Sequence, residues 1–96
     1  MGLVKTLKQW EGFSLNYQGK IVKVILSDIY SKEAIFEITG QNEHEIPPVA
    51  IFYNSFYRID NLPETTFSPK KFGNQVKVDI NAPLEVKIYH FGAGAG

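Results

Sequence analysis

Gln75-Val76-Lys77-Val78-Asp79-Ile80 alternates polar and apolar residues without a break, and that period of two decides the fold class. Successive side chains of a strand point to opposite faces, so Val76, Val78 and Ile80 share one side and Gln75, Lys77 and Asp79 the other. The next stretch repeats the pattern: Leu84, Val86 and Ile88 alternate with Glu85, Lys87 and Tyr89 as far as His90. Between the two lies Asn81-Ala82-Pro83. Asn tolerates turn geometry and Pro has no N–H to give a ladder, which predicts a tight turn or corner joining two strands.

Working outward, residues 20–26 form a denser Val/Ile run, read as a central strand covered on both faces. Residues 28–33 turn the chain, and 34–39 return with Phe36 and Ile38 alternating against Glu37, giving a hairpin. Residues 3–7 and 13–15 are shorter candidate strands broken by Trp10-Glu11-Gly12, and Tyr17-Gln18-Gly19 makes the next turn. Residues 40–48 read as a polar loop ending in Pro47-Pro48. Residues 49–60 crowd Phe52, Tyr53, Phe56 and Tyr57 into one segment that suits a strand, with Asn54 and Ser55 able to interrupt it. Residues 61–73 carry Pro63 and Pro69 and no period, and are read as loop. No helix of ordinary length is expected. The Gly-Ala-Gly-Ala-Gly tail, 92–96, has nothing to bury and is expected to fray. The expectation is an all-β fold: one small antiparallel sheet or barrel-like domain of about five to eight short strands over residues 1–91, with 39–71 as a candidate insertion.

The chain has 96 residues, enough for one domain, and 44% are hydrophobic, which fits a globular chain. It has no cysteine, so neither a disulfide framework nor a thiolate metal site is available. Ten basic and ten acidic residues cancel, so any affinity for nucleic acid must come from a local patch. No apolar stretch approaches the roughly 20 residues that cross a bilayer, and the expected place of action is the cytoplasm, away from membranes. Aromatic residues make up 14%, crowded enough that some should reach the surface.

Catalytic signals are sparse. His44 and His90 are far apart, and the Glu43-His44-Glu45 trio reads as a solvated loop before it reads as a metal site. Asp28 and Glu33 flank a turn without a locatable pocket. There is no nucleophile elbow, phosphate-cradling glycine loop or zinc-binding helix motif. The expectation is a binding protein without catalytic residues, metal or cofactor.

The stretch Gly73-Asn74-Gln75-Val76-Lys77-Val78-Asp79-Ile80-Asn81-Ala82-Pro83-Leu84-Glu85-Val86-Lys87-Ile88-Tyr89-His90 resembles the carbon storage regulator family of RNA-binding translational regulators. In that family a strand opening Gly-Asn-Gln-Val runs into an Asn-Ala-Pro turn and then a strand carrying Glu-Val. Residues 3–15 match the family's opening strand more loosely, with Thr6, Lys8, Glu11 and Leu15 in register. The chain departs from the family in several places. Family members are much shorter, so 39–71 is extra. The arginine near the end of the last strand is replaced by His90, one of the two basic positions of the first strand is Leu7, and the C-terminal helix is replaced by Phe91 and the Gly/Ala tail.

The resemblance implies hairpin or single-stranded RNA as partner, a role in post-transcriptional regulation, and a homodimer with first and last strands exchanged. The expected RNA-binding set is Lys5, Lys8, Lys77, Lys87, Tyr89 and His90, with lysines neutralising phosphate and aromatic faces stacking on bases. Taken singly, each lysine is read more readily as solvating a strand face. The alternative is a protein-binding β module, an accessory or assembly subunit with a viral origin among the options. Its contact surface would be Phe52, Tyr53, Phe56 and Tyr57, set against the plainer reading that these aromatics fill the core.

Overall fold

The computed structural model describes residues 2–40 and 48–91. Nine strands run through them: β1 Gly2–Leu7, β2 Gly12–Tyr17, β3 Lys20–Ile29, β4 Glu33–Thr39, β5 Val49–Phe52, β6 Tyr57–Arg58, β7 Thr66–Phe72, β8 Gln75–Asn81 and β9 Lys87–Phe91. The described residues contain no helix. All pairings are antiparallel, in two sheets ordered β1-β8-β7-β6 and β5-β4-β3-β2-β9. The all-β antiparallel expectation holds, with nine strands, and the sheets stay open instead of closing into a barrel.

Residues opposite each other across an antiparallel ladder share a face, so the register sorts every side chain. Leu7, Val76, Val78, Ile80 and Phe67 of the four-stranded sheet turn inward, as do Phe13, Leu15, Val22, Val24, Leu26, Phe36 and Ile38 of the five-stranded one. Phe67 joins the layers. Its ring meets Phe13 at 5.6 Å and Phe36 at 5.1 Å, both edge-on, and Tyr57 at 5.5 Å. Edge-to-face geometry sets the positive ring edge against the negative face and adds about 0.5–1.5 kcal/mol per pair beyond burial.

The chain changes sheets three times, and Asn81-Ala82-Pro83 lies at one of those crossings. β8 pairs with β1 and β7, whereas β9 pairs with β2, so the two alternating runs meet at a corner between layers. Leu84 belongs to that corner and is largely exposed; the strand starts at Lys87. The first two strands are likewise divided, β1 in the small sheet and β2 in the large one. Gly12 makes that crossing tight, because a Cβ there would overlap the Val24 carbonyl oxygen.

Two expectations need correcting. β3 is central, but only one of its faces is covered: Val22, Val24 and Leu26 are buried while Ile21 and Lys23 on the other face are exposed. Residues 61–73 are not all loop, since β7 is a full partner of β8 and contains Pro69, fully buried opposite Val78. A residue's N–H and C=O leave a strand on the same side. The Pro69 carbonyl accepts from the Asn54 N–H at 2.8 Å, past the short β6, so the missing N–H falls where no ladder runs. Asn54 itself, at φ 68°, turns the chain between β5 and β6, which makes the aromatic segment two short strands. The Glu43-His44-Glu45 trio and the 92–96 tail lie outside the described residues.

Candidate nucleic-acid interface

The formal charge of the chain is zero, but the two sheets do not share it evenly. Strands of the four-stranded sheet carry Lys5, Arg58, Lys70, Lys71 and Lys77 against Asp79 alone. Strands of the five-stranded sheet carry Lys20, Lys23 and Lys87 against Asp28, Glu33 and Glu37. The strands of one sheet therefore carry an excess of positive charge, offset in part by Asp60 and Glu64 in the β6–β7 connection, and those of the other are balanced.

The positive charge concentrates where β7 turns into β8. Gly73 at φ 61° takes the first place of a two-residue turn closed by Phe72 and Gln75, as a type II′ hairpin requires. The turn fixes register, and register sets Lys70 directly opposite Lys77, with Thr6 of β1 on the far side of Lys77. All three lie on the outer face, since the alternate residues Val76 and Val78 are buried. Like charges opposed across a ladder repel. Each lysine has a local counterweight: Lys70 Nζ lies 3.4 Å from Asp79 Oδ2, and Lys77 Nζ sits 4.4 Å over the centre of the Phe72 ring. The Phe72 side chain is half exposed. Lys71, opposite Val76, starts from the other face but is exposed beside the turn, donating from Nζ to the Gly73 carbonyl at 3.1 Å. Lys8, one residue past β1, reaches the same end of the sheet, because Leu7 opposes Val76. Its backbone N–H donates to Glu11 Oε1 at 2.8 Å. An extended polyanion with unpaired bases fits such a surface: ammonium groups at strand spacing for phosphates, and a half-exposed aromatic ring for a base.

Of the six residues expected from sequence, Lys8 and Lys77 come together here. Lys5 lies on the inward side of β1, half-buried between Leu3 and Leu7 and opposite Val78. Lys87 and Tyr89 lie on the outer face of the other sheet, opposite Asn16 and Ser14. His90, opposite the buried Phe13, faces the rim between the sheets and is exposed. Lys70, Lys71 and Phe72 went unselected because their segment reads as loop. The signal was the spacing of Lys70 and Phe72 from Gly73-Asn74, which places both on the face of Lys77 once a hairpin is assumed.

The aromatic set divides as well. Tyr57 packs on Phe67, and Tyr53 is half-buried, its hydroxyl donating to the Tyr30 carbonyl at 2.6 Å; burial raises that phenol's pKa above the ordinary value, with Glu33 adding to the effect. Phe52 and Phe56 are exposed. Among the described residues no cluster of His, Asp and Glu could hold a metal, and no helix is long and apolar enough to cross a membrane.

Compared with protein families, curated proteins and solved structures, the chain matches none.

Proposed function

We propose that this chain binds single-stranded RNA, or the loop of an RNA hairpin, on the outer face of its four-stranded sheet. The observation that carries the reading is the pairing of Lys70 and Lys77 on that outer face beside a half-exposed Phe72 that Lys77 caps, on strands with an excess of positive charge. Lys70, Lys77 and Lys8 neutralise phosphates, and each neutralised phosphate releases counterions. Phe72 stacks on an unpaired base, worth about 1–3 kcal/mol and tolerant of base identity. A duplex keeps its bases inside the stack, so the aromatic contribution selects unpaired nucleotides.

The resemblance to carbon storage regulators supports the same partner and extends the proposal to post-transcriptional regulation in the cytoplasm by a homodimer. Here β1 and β9, the strands that resemblance would exchange, are edge strands of the two sheets. They flank one groove of about 310 Å³ lined by Leu3, Pro83, Leu84, Val86 and Ile88 among others.

Fluorescence anisotropy with a short hairpin RNA carrying GGA in its loop, beside a scrambled hairpin at two salt concentrations, tests the reading. The expected result is salt-sensitive binding that Phe72→Ala weakens by about tenfold, the size of one lost stacking contact. No binding at micromolar protein would sink it.

A further inference from the structure

At the opposite side of the molecule from β1 and β9, exposed aromatics gather beside carboxylates. The β3–β4 hairpin closes through the Tyr30 N–H and Glu33 carbonyl at 2.9 Å, and the following turn is tied to it by the Tyr53 N–H donating to the Lys32 carbonyl at 3.2 Å. Register opposes Phe52 to Glu33 on the outer face, and the same face carries Ile35 opposite Asp28 and Glu37 opposite Ile25. The bulge at Ser27 holds Asp28 there: Ser27 Oγ donates to the Ile35 carbonyl at 3.2 Å and Gln9 Nε2 to the Ser27 carbonyl at 2.8 Å. Tyr30, Phe52 and Phe56 are 51%, 62% and 76% exposed, too open to be fillers of the core. Among the described residues none of Asp28, Glu33 and Glu37 is in an ion pair, and Asp28 Oδ2 accepts only from the Tyr30 hydroxyl at 3.2 Å. That hydrogen bond, and then the Asp28 charge, raise the Tyr30 pKa above its ordinary value. Nearby cations are Lys32 in the hairpin turn and Lys23, one row further along opposite Thr39.

We propose that this end of the five-stranded sheet docks an extended segment of a partner protein in which lysine or arginine recurs at every fourth residue with an apolar residue midway between. Charge complementarity chooses the occupant. An extended segment shows every second residue to the sheet, and the outward residues of β4 run Glu33, Ile35, Glu37, so a facing segment meets them with a cation, an apolar residue and a cation in turn. Phe52, on the edge strand β5, and Tyr30 offer ring faces to the cations' stems and charges, as interface aromatics commonly do. The site is separate from the cationic sheet and is independent of RNA binding.

The probe is a fluorescein-labelled peptide repeating Lys-Ser-Val-Ser, compared with its Glu-Ser-Val-Ser counterpart. Titration followed by anisotropy should give saturable binding of the lysine peptide only. The exposed pair Phe52→Ser and Glu33→Gln should weaken it about tenfold, the equivalent of about 1.4 kcal/mol. Amide shifts in nitrogen-edited NMR should map to β4 and β5, and the double variant should keep its RNA titration. Equal binding of both peptides, shifts confined to other strands, or an unchanged double variant with a native spectrum would overturn the proposal.

Discussion

Gly12 shows how one atom decides a crossing between layers. The chain leaves β1, hydrogen-bonds Trp10 N–H to the Leu26 carbonyl at 2.6 Å, and receives the Leu26 N–H at the Glu11 carbonyl at 2.9 Å before β2 begins. Two backbones must lie almost in contact for that exchange, and glycine is the residue that allows it. With a methyl group at Gly12, either β2 separates from β3 or the Val24 carbonyl leaves its ladder. Gly12→Ala should therefore lose about 3 kcal/mol, the upper range for overpacking, in urea unfolding followed by fluorescence. Trp10 at φ 72° has the same origin, a left-handed residue held by the tight entry into β2. Sequence marks Trp10-Glu11-Gly12 as a break but cannot mark the close approach, because the Val24 oxygen is supplied from another strand.

At the scale of elements, what was legible in the sequence is what period and turn chemistry record locally. β8 announces itself by six alternating residues, and β4 by Phe36 and Ile38 against Glu37. β7 escapes because Pro69 argues against a strand, and that argument fails only where the proline faces an unladdered edge, a fact about β6. The candidate site was hidden with it: Lys70 and Phe72 gain meaning from register with Lys77, and register is a property of a pair of strands. Edge strand β1 carries a different device. Leu3 and Val4 are exposed on a strand with one free side, which invites pairing with another chain, and Lys5 sets a charge on its inward face between Leu3 and Leu7. Inward charges of this kind discourage edge-to-edge association. Lys5→Val should keep the circular-dichroism spectrum of the folded protein and raise its tendency to associate. Light scattering against protein concentration checks this; a variant as monodisperse as the parent would remove that role from Lys5.

For the whole molecule, the separation of charge sets how binding responds to salt. A neutral chain with its charges mixed would show little salt dependence, whereas a cationic layer presents phosphate contacts as a set, and log K falls with log salt in proportion to the phosphates neutralised. For single strands the slope is about 0.7 per contact, so engagement of Lys8, Lys70 and Lys77 gives a slope near −2. Lys70→Ala and Lys77→Ala should each weaken RNA binding across sequences and flatten the slope by somewhat under one contact's worth. Their effects need not be equal. Lys70 is already shared with Asp79, while Lys77 rests on Phe72, so losing Lys77 also uncovers the ring on which a base would stack. The Lys77 variant should thus lose the more affinity at high salt, where screening has removed most of the phosphate contribution and stacking remains. Anisotropy titrations of both variants over a salt series check this, with Lys87→Ala on the balanced sheet as the control that leaves affinity and slope unchanged. Equal slopes for all three variants would place the RNA on neither sheet face in particular, and a flattened slope for Lys87→Ala alone would move the contact surface to β9.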